Sequence, residues 1–178
     1  MLNNISKLEN ILKIKFNNIN LLLQAVTHKS YNRTTNYETL EFLGDSIVGA
    51  TVTNYVYDRF PDEEEGFMTK MKTKLVCGEM LGSLGLKMGL NEYLIISKHV
   101  EEKCNGRNSV KTMEDVFEAF IGAMYLDFNE IEIPGKMDFY SGIGFQVCET
   151  FLINLMEDKI DFADLIMHNL IITTILNL

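Results

Sequence analysis

The chain has 178 residues, enough for one domain that buries its own core without disulfides or structural metal. Its 16 Lys and Arg stand against 25 Asp and Glu, a formal charge of −9; this argues against a polyanionic partner held by net charge, although bound divalent ions invert a local field. Three widely spaced cysteines, Cys77, Cys104 and Cys148, exclude a zinc site or disulfide framework, and no apolar run is long enough to span a bilayer, so the expectation is a cytoplasmic or nuclear protein with reduced thiols and no membrane partner.

Only two prolines, Pro61 and Pro134, punctuate a sequence that reads as helical almost throughout. Asn3 or Asn4 is placed to cap a short helix carrying Ile5, Leu8, Ile11 and Leu12. A second helix, about Asn18 to Thr27, shows a buried stripe of Leu21, Leu22, Ala25 and Val26. Thr27-His28-Lys29-Ser30-Tyr31 then leads through an Asn/Thr stretch into a long helix from about Tyr37 to Phe60, about 35 Å at 1.5 Å per residue. Pro61 ends it, and the acids 62–65 precede an inward stripe of Met68, Met71, Leu75 and Val76 on the next helix. Lys70, Lys72 and Lys74 alternate around that helix and read as a solvated face.

Glu79 to about Met88 forms a further helix, in which Gly82 and Gly85 point to close backbone packing and Gly89 to a glycine stop. Tyr93 to Ile96 is β-prone but has no partner strand, and is expected as an extended connection. A polar loop from Lys98 to Asn108 precedes a second strong helix, about Ser109 to Phe128. A last long helix, about Asp138 to Asp158, carries Ile143, Val147, Phe151 and Leu155. The apolar tail 161–178 is either a docking helix or a linker. The fold class is therefore all-α, a helical bundle without a significant sheet.

Two of these helices carry carboxylates in an unusual setting. Glu38, Glu41 and Asp45 fall at i, i+3 and i+7, on one face of the long helix, while Leu40, Leu43 and Ile47 repeat on another. Stacked like charges repel, and no Lys or Arg occurs between Glu38 and Arg59 to offset them. On the second strong helix Asp115 and Glu118 again share a face, among Val116, Phe117, Phe120, Ile121 and Met124. Either pair alone is ordinarily a solvated surface. Two such pairs, each inside an apolar run without basic partners, resemble the way helical domains build hard-metal sites from facing carboxylates. Oxygen-only ligands select Mg²⁺ or Mn²⁺, and the absence of Glu-x-x-His pairs excludes a di-iron centre. Spacing alone leaves several Mg²⁺ enzymes open, helical nucleotide pyrophosphatases among them.

Glu38-Thr-Leu-Glu-Phe-Leu-Gly-Asp-Ser resembles the signature of the ribonuclease III nuclease domain. Thr27 to Tyr31, Glu65-Gly66, and Lys111-x-x-x-Asp115-x-x-Glu118-Ala-x-x-Gly-Ala match the family's other blocks in order, over roughly Leu8 to Asp158. The resemblance implies a nuclease domain over 1–160, followed by the 161–178 tail, with no double-stranded RNA-binding domain in this chain. It implies that Glu41, Asp45, Asp115 and Glu118 ligate catalytic Mg²⁺, for which Mn²⁺ can substitute, and that Glu38 and Glu65 line the cleavage site. Lys111 is expected to approach an RNA phosphate or steady the acids. The family acts as a homodimer on double-stranded RNA, giving 5′-phosphate and 3′-hydroxyl ends with short 3′ overhangs. Phe42 is then expected in the dimer interface; in a lone domain it would be a core residue.

Two positions depart from the family pattern: Thr39 replaces the usual Arg after the first Glu, and Glu114 replaces a small residue before the Asp. With no RNA-binding domain, duplex binding is expected to be weak and strongly salt-dependent. His28, His99 and His168 do not cluster and are expected to be structural or exposed. Two rivals to the endonuclease follow from the same residues. One is a cleavage-deficient ribonuclease III-like protein that binds or scaffolds double-stranded RNA; the other is a helical Mg²⁺ nucleotide hydrolase.

Overall fold

Two helices decide the architecture: α3 (Glu38–Arg59) and α8 (Val110–Asp127), which cross in backbone contact and carry the two acidic motifs. In the computed structural model, residues 2–129 and 142–167 are described. Before α3 come α1 (Leu2–Leu12) and α2 (Ile19–Ala25). Between α3 and α8 lie α4 (Glu65–Leu75), α5 (Gly78–Lys87), α6 (Leu90–Tyr93), α7 (Lys98–Cys104) and a 3-10 turn at Gly106–Asn108. After α8 come α9 (Gly144–Lys159) and a short helix over 162–167. Among the described residues the only β pairing is a single parallel bridge between Thr27 and Ile95, so the all-α expectation holds. No helix among them is long and apolar enough to cross a membrane.

Helix α8 is the centre of the core. Met113, Val116, Phe117, Phe120, Ile121 and Met124 are fully buried on it, and each large side chain contributes about 2 kcal/mol of apolar burial. The all-round burial explains why this helix reads as apolar except at its acids. The side chain of Ser109 accepts a hydrogen bond from the N–H of Thr112 and starts it. At its other end Asp127, almost fully buried, accepts the backbone N–H groups of Asn17 (2.8 Å) and Asn18 (2.7 Å), and so fixes the entry of α2 onto α8. Helix α5 approaches α8 at Gly82 and Gly85, where a Cβ would stand 2.4 Å from the Val110 carbonyl oxygen and 2.9 Å from that of Met113. Gly89, at φ +74°, ends that stretch as expected.

The long helix falls within one residue of its expected limits. Two expectations need correction. The segment Lys98 to Asn108 is not an irregular loop: Ser97 caps α7 by accepting the Val100 N–H, and Asn105, left-handed at φ 48°, closes it. Asn3 and Asn4 lie inside α1 rather than capping it, and Ile11 on that helix is exposed. The last long helix also starts later than expected: α9 begins at Gly144, after a bend at 142–143 that leaves Ile143 exposed and outside it, while Asp138, Pro134, His168 and the tail beyond 167 lie outside the described residues. The helix over 162–167 is held through Phe162, whose ring stacks beneath the Arg59 guanidinium and packs 5.8 Å from Tyr55.

Candidate metal centre

Glycine brings the two acidic helices together. A Cβ on Gly44 of α3 would stand 1.8 Å from the backbone oxygen of Glu118, and a Cβ on Gly122 of α8 would stand 2.2 Å from that of Leu40. Each glycine sits one turn from a carboxylate-bearing segment of its own helix, so the backbones touch where the acids project. Across this contact Glu118 of α8 lies within electrostatic reach of Asp45 and Glu41 of α3, and Glu41 within reach of Asp115.

The electrostatics follow from this placement. Glu118, only 7% exposed, has its carboxyl pushed up to about 8, first by burial and then by the charges of Asp45, Glu114 and Glu41. The Glu41 carboxyl is also raised, by burial and by Asp115. Among the described residues no donor hydrogen-bonds the side-chain carboxylate of Glu41, Asp45 or Glu118. Lys111 is the cation on the cluster: its Nζ lies 2.9 Å from Asp115 Oδ1 and 3.0 Å from Glu114, and those carboxylates raise its own pKa. Apart from that ammonium, the buried Asp115 Oδ1 has no hydrogen-bond donor. Tyr37, whose hydroxyl donates to Asp115 Oδ2 at 3.4 Å, is itself buried.

The remaining expected residues divide. Glu38 opens α3 and is ion-paired with Lys29 at 2.7 Å, so this acid does have a basic partner, supplied by the turn before the helix. Glu65 lies in the first turn of α4, exposed, where its Oε1 accepts the Thr69 hydroxyl, and it is not among the leading influences on the raised carboxyls of Glu118 and Glu41. Phe42 is 81% exposed, which removes the reading of it as a core residue. Of the two departures, Thr39 accepts a hydrogen bond from Gln24 of α2, and Glu114 lies over Gly78 at the N-terminus of α5, a placement the helix dipole favours. His28 is structural: its Nδ1 accepts the Ser30 backbone N–H, its ring stands edge-on to Tyr37, and burial lowers its pKa.

The donor set fits a hard divalent cation in chemistry: oxygen ligands only, two of the four carboxyls raised by burial and mutual repulsion, and one buried oxygen without a hydrogen-bonding donor. The four are not drawn into one coordination sphere, since among the described residues no three acidic, His or Cys side chains converge closely enough to hold an ion.

The domain is all-α, with paired acids on two crossing helices. Residues 18–132 match the model of the ribonuclease-III-like family, and the chain belongs to that family. It is 45% identical over 122 residues to ribonuclease 3 of Francisella philomiragia, covering 68% of this chain and 51% of that protein. With ribonuclease 3 of a Staphylococcus aureus strain it is 44% identical over 118 residues, 63% of this chain and 48% of the other. The chain thus spans about half the length of the curated relatives it matches. Among solved structures, the nuclease domain of ribonuclease III from Campylobacter jejuni superposes with a TM-score of 0.75 at 30% identity, covering 89% of this chain and 99% of that one. A second structure of that domain concerns flexibility in its region involved in dimer formation. The Dicer of Pichia stipitis superposes at a TM-score of 0.54 with 26% identity, over 80% of this chain and 56% of that one.

Proposed function

We propose that this chain is a divalent-cation-dependent endoribonuclease that hydrolyses phosphodiester bonds of double-stranded RNA, leaving 5′-phosphate and 3′-hydroxyl ends with short 3′ overhangs. The observation that carries the proposal is the buried Glu118 carboxyl, raised to about 8 while facing Asp45 and Glu41 with no donor of its own. A fold without a ligand to hold gains nothing from such a cluster. Glu41, Asp45, Asp115 and Glu118 would hold Mg²⁺, or Mn²⁺ in its place. The bound cation supplies Lewis-acid polarisation of a phosphate oxygen and acidifies water, so no side-chain nucleophile is needed. To hold the ion, Glu118 would have to be ionised, as any ligating carboxylate is. Lys111, largely exposed beyond its two carboxylate contacts, is placed to meet a phosphate, as is Lys29 beside Glu38. An intracellular setting, cytoplasmic or nuclear, suits the three free cysteines.

Incubation with a long RNA duplex and Mg²⁺ tests the proposal. Short duplex products are expected from the native protein and not from the Glu118→Gln variant. Duplex binding without products would support the cleavage-deficient scaffold instead. Release of nucleoside monophosphate from free triphosphates would support a nucleotide hydrolase.

Cutting both strands calls for two sites, and we propose a homodimer closed through the exposed face of α3. Phe42 has the greatest exposure of the large exposed hydrophobics, and the exposed positions Ser46, Ala50, Thr53 and Tyr57 continue along the same helix. Phe42 and Tyr57, both exposed on this one face, support its use as a contact surface. Phe42→Asp is expected to give a monomer in sedimentation equilibrium. Losing about 2 kcal/mol of burial in each copy weakens the dimer by about a thousandfold. A native protein that stayed monomeric at the highest attainable concentration would overturn this assembly.

A further inference from the structure

Tyr37 connects the two acidic helices through two different parts of one residue. Its backbone carbonyl accepts the N–H groups of Leu40 and Glu41, both at 2.9 Å, and so begins the helix that carries Glu41 and Asp45. Its side chain crosses to α8, where the hydroxyl donates to Asp115 Oδ2. The residue is fixed from behind: the Tyr37 N–H donates to the Thr27 carbonyl at 3.0 Å, and the ring meets the edge of His28 with centroids 5.5 Å apart. At 3% exposure the phenol is shut off from bulk water, and Asp115 is its one hydrogen-bond acceptor among the described residues.

The two oxygens of Asp115 are consequently not equivalent. Oδ2 has a neutral donor from within the fold. Oδ1 is buried and has only the Lys111 ammonium near it, a partner on a long, mostly exposed side chain that can swing away. A neutral hydroxyl orients a carboxylate without cancelling its charge, which is what an outer partner of a metal ligand must do. At 3.4 Å the bond is longer than the ~2.8 Å usual for O–H···O.

We infer that Tyr37 is a positioning residue, whose hydroxyl fixes Asp115 Oδ2 and thereby reserves Oδ1 for the divalent cation. This rests on the reading that the four carboxylates hold such an ion. The aromatic ring and its contact with His28 serve the fold, whereas the hydroxyl serves the site, so Tyr37→Phe separates the two.

The test is calorimetric titration of Mn²⁺ and Mg²⁺ into cation-stripped protein, for the native chain, Tyr37→Phe, Asp115→Ala and the double variant, with thermal unfolding of each cation-free form. Tyr37→Phe is expected to weaken binding by about tenfold, within the range for losing an outer partner of a ligand, while its unfolding midpoint stays close to native. In the Asp115→Ala background the same change is expected to have no further effect on affinity. Native affinity in Tyr37→Phe overturns the inference, and so does an equal loss in both backgrounds. A Tyr37→Phe chain that does not fold would assign the hydroxyl to the fold and overturn it as well. A native chain that binds neither ion overturns the four-carboxylate reading itself, a result distinct from the other three.

Discussion

Gly44→Ala is expected to destabilise the protein by at least about 4 kcal/mol, a loss reserved for a few mechanisms such as overpacking a core that has no room to relax. The added methyl would stand 1.8 Å from the Glu118 carbonyl oxygen, 2.6 Å from its carbon and 3.0 Å from the Gly122 nitrogen. All three are backbone atoms of α8, so no rotamer change relieves the overlap. The helices must move apart, and the crossing they would leave is the one around which the core is built. A domain of this size has a total stability on the order of 5–15 kcal/mol, so a substantial part of it is at stake. Circular dichroism melting should show a midpoint lower by about 10 °C or more, or no cooperative transition.

The same substitution five positions along the same helix supplies the control. Gly49 has nothing within 4 Å of its ideal Cβ. Gly49→Ala lowers the backbone entropy of the unfolded chain and raises helix propensity, so a gain of about 0.5–1 kcal/mol is expected in the monomer. Opposite signs for one chemical change on one helix would show that it is the approach of α8, and not helix propensity, that makes Gly44 necessary. Equal effects at the two positions would refute it.

The contrast bears on what could be read before the structure. The acids of α3 and α8 stood out because each interrupts a long apolar period, and both helices were bounded by clear signals, Pro61 after one and Ser109 before the other. Helix α7 was not legible: it has no buried residue, and its existence rests on the Ser97 cap and the left-handed Asn105. Local hydrogen bonds made it, not a periodic stripe. Tyr37 was invisible for a different reason. Its partner Asp115 is 78 residues away, a distance no local pattern crosses. Lys29 partners Glu38 from a turn nine residues earlier, so counting charges along the helix alone left that acid wrongly unpaired. Gly44 and Gly122 did leave a signal, each a glycine within one turn of the acids on one of two helices already suspected of meeting. Read together, they place the crossing point.

Glu118→Gln should raise the stability of the cation-free protein above pH 7 while strongly reducing cleavage. The Glu118 carboxyl titrates near 4.5 when unfolded and at about 8 when folded. Between these values the folded state binds the extra proton, so stability is fully present below pH 4.5 and declines as pH rises toward 8. The full shift bounds the loss at about 5 kcal/mol, and coupling to Glu41 and Asp45 spreads it over several groups, so about 3 kcal/mol is the expected size. Glutamine keeps the shape and cannot ionise. Urea titrations in chelator at pH 5 and pH 8 should therefore show a steep decline for the native chain and a much shallower one for the variant. Saturating Mg²⁺ should reverse the order at pH 8, because the ion stabilises the charged native carboxylate by mass action and has less to hold in the variant. Cleavage of the RNA duplex should fall by roughly 10²–10³-fold, the scale for removing one preorganised electrostatic group. A variant as pH-sensitive as the native chain, or a native chain indifferent to Mg²⁺ at pH 8, would show that Glu118 is not the proton-holding ligand of this site. The opposing effects of one substitution on stability and on turnover are what a cluster retained for its cation, at a cost to the fold, must display.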